Sequence, residues 1–317
     1  MEEAKIKEIV LKIKDNVGSV IVGKDKITEY IITAIIADGH VLLEDVPGTG
    51  KTMLAKSLAR SLGMKFGRIQ FTPDLLPSDV TGLNVFNQKE GEFTFHPGSV
   101  FCNILLADEI NRATPRTQSS LLECMEEKQV TVDGVTRRLD EPFFVIATQN
   151  PIETAGTFPL PEAQMDRFLM ELSMGYPTPD EEKKIMKRFI NKNPYEELET
   201  VVSREDILYL RKTYPEIYVH EVLIDYIQRI VESTRHWKNV INGVSPRGTL
   251  ALLKAVQAYA MINGRRYVIP EDIKELAVPV LAHRLVLQGG HGAVSETEKI
   301  MRNILETIEV PTEEWER

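Results

Sequence analysis

The chain has 317 residues, 43% of them hydrophobic and 27% charged, with a net charge of −9, which is enough for a sizeable core and for two domains. The acidic balance speaks against a broad basic field for nucleic acid, while leaving room for a local basic channel. Cys102 and Cys124 stand in no metal or redox spacing and read as small buried hydrophobes in a reducing compartment, and no apolar segment reaches transmembrane length.

The opening MEEAKIKEIV lacks a basic region followed by an apolar run, so it reads as no signal peptide, and a soluble cytoplasmic protein is expected. Residues 2 to 14 have helical periodicity, and Lys24 to Ala37 repeat it with Ile27, Ile31, Ile32 and Ile35 as the buried stripe. A strand at Val41–Leu43 leads into a Gly-rich turn and a helix to about Leu62, and Arg68–Phe71 reads as a short strand. Between Gly82 and Val100 an aromatic-rich piece alternates around Glu90-Gly91 and interrupts the α/β rhythm as an insert. Asn103–Ala107 is the next strand and Thr117–Glu127 a helix; Val130–Leu139 alternates around Asp133-Gly134, a hairpin signal. Phe143–Ala147 and Phe168–Ser173 complete the strands.

Strands alternating with helices predict a parallel sheet covered on both faces. At Tyr176-Pro177-Thr178-Pro179 the rhythm breaks: Thr178 caps a new helix, with Pro179 in its first turn and Glu181 completing a capping box. From there to Glu309 only helices are predicted, with starts marked by Ser203, Ser245 and Pro270. The expected organisation is an α/β nucleotide-binding core over residues 1–176 and an all-helical lid over 177–317.

The chemistry lies in two stretches, HVLLEDVPGTGKT (His40–Thr52) and NILLADE (Asn103–Glu109). In the first, Pro47, Gly48, Thr49 and Gly50 make a tight turn, and Lys51, Thr52 and Met53 open a helix. That arrangement wraps backbone N–H groups around a polyphosphate and aims a helix N-terminus at it. The usual pattern begins with Gly at the position that Asp45 occupies. In the second, an apolar strand ends in two carboxylates: Asp108 suits Mg²⁺ held through water, together with Thr52, and Glu109 suits a water that must be activated. The expected ligands are therefore ATP and Mg²⁺. Asn150, closing the strand FFVIATQN, either orients the water or contacts the γ-phosphate, or simply forms a turn before Pro151. Arg167 and Arg247 suit charge growing on a transferred phosphoryl group; otherwise they are surface ion pairs, Arg167 for instance with Asp166. Arg112 either contacts a neighbouring subunit or caps its own helix. Arg137 and Arg138 point to opposite faces of one strand and read as solvated charge. Trp237 and Tyr259 read as lid core, and none of the six histidines forms a metal pair.

VPGTGKT, LLADEINRA, ATQNP, LPEAQMDRF and GVSPRG occur in that order over nearly the whole chain, and together they closely resemble the MoxR family of AAA+ ATPases, in the helix-2-insert clade. The resemblance implies that Lys51 and Thr52 are the Walker A residues, Asp108 and Glu109 the Walker B pair, Asn150 sensor 1, Arg167 the arginine finger and Arg247 sensor 2. Val22 and Gly23, in VIVGKDK, sit where AAA+ proteins often contact adenine. The Gly82–Val100 piece resembles the helix-2 insert and Val130–Leu139 the pre-sensor hairpin. The resemblance further implies a homo-oligomer, a hexameric ring in which the finger reaches a neighbour's ATP. It also implies chaperone-like remodelling of client proteins, often with a partner carrying a von Willebrand A domain. The alternatives are a nucleic-acid-stimulated motor, an ATP-gated scaffold and, more remotely, a small-molecule kinase.

Overall fold

Helices α1 (Glu2–Val20) and α2 (Asp25–Ile36) precede the first strand in a computed structural model that describes residues 2–150, 156–288 and 294–311. The next elements are β1 (Val41–Glu44), α3 (Lys51–Ser61), β2 (Phe66–Gln70), α4 (Pro77–Thr81), and a pair of strands β3 (Gly82–Asn87) and β4 (Glu92–Pro97). Then come β5 (Ile104–Asp108), α5 (Pro115–Glu127), β6 (Gln129–Val132), β7 (Val135–Arg138), β8 (Phe144–Gln149), α6 (Glu162–Met165) and β9 (Met170–Leu172). Five of these strands form a parallel sheet in the order β2-β5-β8-β1-β9. Their side chains alternate between two apolar layers, as a sheet covered on both faces requires. Val41, Leu43, Ile104, Leu106, Phe144 and Ile146 pack toward α1, α2 and α3. Leu42, Leu105, Ala107, Phe143, Val145 and Ala147 pack on the other side, toward α5.

Both expected hairpins are present. β3 and β4 pair antiparallel from Leu83↔His96 to Asn87↔Glu92, with Gly91 at φ +71° in the turn. β6 and β7 are joined by Asp133 (φ +50°) and Gly134 (φ +78°), the left-handed pair that a two-residue turn requires. The hairpins hold each other: Asn84 Nδ2 donates to Asp133 Oδ2 at 2.7 Å, and the Arg137 guanidinium lies 3.8 Å from the centre of the Phe95 ring. Arg137 is therefore stacked on the insert.

The second half carries α7 (Pro179–Phe189), α8 (Arg204–Thr213), α9 (Glu221–His236), a strand β10 (Val240–Asn242), α10 (Pro246–Ile262), α11 (Pro270–Leu281), a strand β11 (Val286–Leu287) and α12 (Val294–Thr307). Thr178 accepts from Glu181 N in a full capping box, and Ser203 and Ser245 cap α8 and α10. Among the described residues, the expectation of helices only fails at β10 and β11 and at an isolated parallel bridge, Tyr218↔Tyr267. β10 and β11 form a small antiparallel pair; segments of three and two residues are too short to show a period of two, and their pairing comes from tertiary packing. One apolar cluster runs from α1, α2 and α3 into α8, α9, α10 and α11, so the two halves share core. Cys102 and Cys124 are buried, which pushes both thiols up to about 12, and Tyr259 is buried in the second half.

The edge strand β9 carries an unusual group. Glu171 is hydrogen-bonded to Glu44 at the end of β1, and burial, reinforced by the Glu44 charge, pushes its carboxyl up to about 8. A carboxyl held protonated in the folded chain contributes stability in full below its ordinary value of 4.5, and that stability is lost as pH rises towards about 8. Glu171→Gln, which fixes the neutral form, is expected to match the parent in thermal midpoint at pH 5 and to exceed it at pH 9. Each pH unit over which the proton is held is worth about 1.4 kcal/mol, or roughly 2–4 °C of midpoint in large domains. Equal midpoints at pH 9 would show that the carboxyl is not held neutral.

Candidate active site

The loop between β1 and α3 is built around two left-handed glycines, Gly48 (φ +88°) and Gly50 (φ +93°). A Cβ at either would meet nothing within 4 Å, so the backbone there faces open space. Gly50 is also the N-cap of α3 and offers no side-chain cap, which leaves first-turn N–H groups of the helix for an anion. In front of the loop lies a cavity of about 480 Å³. Pro47, Gly48, Gly50, Lys51, Thr52 and Met53 line it from the loop side; Asp108, Glu109 and Asn150 line it from the strand ends, with Lys56, Arg68, Gln70, Thr148 and Gln149 between them. Lys51 Nζ donates to the carbonyls of Asp45 (2.9 Å) and Val46 (3.2 Å). Burial pulls its pKa down, opposed by the charges of Asp45, Asp108 and Glu109. Thr49 does not line the cavity; its hydroxyl turns back to the Val46 carbonyl at 3.4 Å.

Each acidic side chain is held by neighbours on adjacent strands. Asp108 Oδ1 accepts from Thr148 Oγ1 (2.7 Å) and Oδ2 from Arg68 Nη2 (2.8 Å). Glu109 sits at φ +56°, ψ +51°, a left-handed conformation that costs a non-glycine residue about 1–3 kcal/mol and marks functional sites. Its N–H donates to Thr148 Oγ1 at 2.8 Å, so one hydroxyl orients both acids. Glu109 Oε2 accepts from Gln70 Nε2 (2.9 Å) and Arg112 Nη1 (3.1 Å). Arg112 does not line the cavity; within its own chain it pairs with the second acid. Asn150 is buried at the end of β8; Pro151, next in its motif, lies outside the described residues.

Thr52 and Asp108 share the cavity, as a Mg²⁺ held by few protein ligands beside phosphates requires. Each Asp108 oxygen already accepts a hydrogen bond, which suits a metal held through water.

The two arginines singled out by sequence do not line this cavity. Both converge on Glu126 of α5: Arg167 Nη1 lies 3.3 Å from Oε2 and Arg247 Nη2 lies 3.2 Å from Oε1. Asp166, suggested by sequence as an ion-pair partner for Arg167, instead binds Arg284 Nε (2.7 Å) and Ser245 Oγ (3.1 Å). Arg284 is buried and also donates to the carbonyl of Phe168 (2.7 Å). Val22 and Gly23 likewise lie off the cavity: Val22 is buried, and a Cβ on Gly23 (φ +71°) would overlap the Glu181 carboxylate. Sequence reading missed Thr148, Gln70, Arg68, Glu126 and Arg284. The first is visible in hindsight only as a hydroxyl two positions before Asn150; the others carry no motif.

Residues 40–170 match the family described as "ATPase family associated with various cellular activities (AAA)", and residues 232–304 match the AAA lid domain. The chain is 50% identical to uncharacterized protein YeaC of Bacillus subtilis over 95% of both chains. It is 42% identical to chaperone MoxR1 of Mycobacterium tuberculosis over 93% of this chain and 80% of that one. The chain belongs to the MoxR family of AAA+ ATPases. A crystal structure from Cytophaga hutchinsonii superposes with a TM-score of 0.90 at 40% identity, covering 98% of this chain and 97% of that one. This MoxR-family protein is accordingly an ATP-hydrolysing enzyme with an α/β core and a lid. Among the described residues no helix is long and apolar enough to cross a membrane.

Removing the hydroxyl that orients both acids provides a test of the site. Thr148→Val is expected to raise the Mg²⁺ concentration for half-maximal ATPase activity by about 10-fold, the usual cost of losing a partner of a metal-site ligand. An unchanged Mg²⁺ titration would take Thr148 out of the site.

Proposed function

We propose that this chain is one subunit of a homo-oligomeric, hexameric ATPase ring in which each ATP site is completed by Arg167 and Arg247 of a neighbouring copy. The observation that carries this reading is the convergence of both arginines on Glu126, off the cavity that holds the phosphate loop of their own chain. A phosphoryl-transfer site needs cationic charge opposite the γ-phosphate; Arg68, the arginine that lines the cavity, is already paired with Asp108, and Arg167 and Arg247 lie off it on Glu126. In this reading Lys51 holds the β- and γ-phosphates, and Thr52 and Asp108 hold Mg²⁺. The metal, when bound, neutralises phosphate charge. Glu109 polarises the attacking water and Asn150 orients it. Arg167 and Arg247 of the neighbour exchange Glu126 for the γ-phosphate and stabilise the charge that grows there. Val22 and Gly23 stay assigned to the adenine side.

Turnover changes the angle between core (1–176) and lid (177–317), and the tied hairpins β3–β4 and β6–β7 pass the motion to client proteins. The exposed Phe86 and Phe93, whose ring centres are 5.3 Å apart, support an apolar contact at that tip. A chaperone-like role in the cytoplasm, with clients that include a protein carrying a von Willebrand A domain, is the process we favour. The nucleic-acid motor finds less support, because Arg137 is stacked on Phe95 and the chain is acidic.

The primary test is ATPase rate per subunit against protein concentration, with mass followed by light scattering. A specific rate that rises as hexamer-sized particles form is expected; a constant rate from a monomer would remove the shared site. Lys51→Ala is expected to abolish ATP binding, and Glu109→Gln to bind ATP without turnover. Arg167→Ala should retain nucleotide but lose about 10³-fold or more in rate, with partial recovery when mixed with Lys51→Ala subunits. Turnover of Glu109→Gln at the parent rate would displace it as the base, and mixed rings that form without recovery would place the finger in its own subunit.

A further inference from the structure

Asp45 stands where the usual phosphate loop has its first glycine, and its side chain is used. It is 6% exposed, a buried carboxylate that must be satisfied by specific partners. Those partners all lie on one segment, the chain leaving β9 for α7. Met174 N–H donates to Oδ2, Gly175 N–H to both oxygens (3.2 and 3.3 Å), and Ser173 Oγ to Oδ1 (3.3 Å). The carbonyl of the same residue accepts from Lys51 Nζ at 2.9 Å. From the opposite side Lys24 Nζ donates to the Met174 carbonyl at 2.5 Å. Gly175, at φ +60°, is the point where this segment turns toward the lid.

We propose that Asp45 is a positioning residue through which the phosphate loop sets the conformation of the core–lid junction at Ser173–Gly175. The inference rests on the reading of Lys51 as the phosphate-binding lysine. Phosphate oxygens compete with the Asp45 and Val46 carbonyls for the Lys51 ammonium. Drawing that ammonium away releases the Asp45 carbonyl, while its N–H stays on the Gln149 carbonyl at 3.1 Å, and the carboxylate that holds Met174 and Gly175 shifts as the residue pivots there. A glycine at this position, lacking the carboxylate, has nothing with which to hold the junction.

Hydrogen exchange at the Met174 and Gly175 amides tests this, in the full chain carrying Glu109→Gln so that ATP is bound without turnover. ATP–Mg²⁺ is expected to speed exchange at both amides about threefold or more, the size of a partly lost hydrogen bond. On the same background Asp45→Asn and Asp45→Gly are expected to exchange fast with and without ATP, erasing the nucleotide-dependent difference. Lys51→Met, which leaves Asp45 in place, is expected to speed exchange at the same amides without nucleotide. A merely structural clasp predicts faster exchange in the Asp45 variants but an ATP-dependent difference of the parent size, which would overturn the proposal. Unchanged exchange in Lys51→Met, or no response to ATP in a chain shown by fluorescent-nucleotide titration to bind it, would overturn it as well. If the titration shows no binding, it is the assignment of the ATP site that fails. Should Asp45→Gly not fold, the near-isosteric Asp45→Asn carries the comparison.

Discussion

The site depends on the register of four parallel strands. Gln70 lies opposite Asp108, and Thr148 lies opposite Leu43, so the ends of β2, β5, β8 and β1 form one row across the sheet. In that row Thr148 Oγ1 reaches Asp108 at 2.7 Å and Gln70 reaches Glu109 at 2.9 Å. A slip of one residue in β8 would turn Thr148 to the other face and leave Asp108 with only Arg68. Parallel order places every carboxyl end at one edge, where an open α/β sheet binds its ligand. The apolar layers above and below therefore fix the chemistry as well as the fold: Phe144, Ile146, Val145 and Ala147 lock β8 in place from both sides.

Much of this was legible because the signals are local. The glycines of VPGTGKT, the paired acids after NILLA, the Asp133-Gly134 turn and the caps at Thr178, Ser203 and Ser245 each state their conformation within a few residues. What was not legible depends on which strands are neighbours. Arg68 and Gln70 are two residues apart on an edge strand, and alternation places them on one face. Nothing in their own segment says that β5, with its two acids, is the adjacent strand. Arg112 shows the same limit: its own segment does not say that its guanidinium meets Glu109 within the chain. Asp45 read as a departure from a pattern because its partners are more than a hundred residues away in the chain.

The two halves are coupled by polar contacts over a shared apolar cluster. Lys26 binds Glu275 at 2.7 Å and the Tyr259 hydroxyl at 2.6 Å, and Tyr30 binds Glu275 at 2.5 Å. Arg211, largely buried, binds Asp38 at 2.6 Å. These pairs tie α2 and the turn that follows it to α8, α10 and α11. A rotation of the lid at Gly175 has either to break them or to carry α2 along, and packed interiors favour movement as rigid bodies over continuous deformation.

The same logic bears on the arginines. Arg284 is buried in the second half and charged: burial pulls its pKa down only to about 10, with Asp166 opposing. Removing one partner of such a pair typically costs about 3–5 kcal/mol, because the other is left buried and unpaired. Asp166 immediately precedes Arg167, and its second oxygen holds Ser245, the cap of the helix that carries Arg247. The loop bearing one arginine and the helix bearing the other are thus fastened at Asp166 and again at Glu126. While these ties hold, the two guanidinium groups stay side by side, and a motion that separates the second half from the first has to break the Asp166–Arg284 pair.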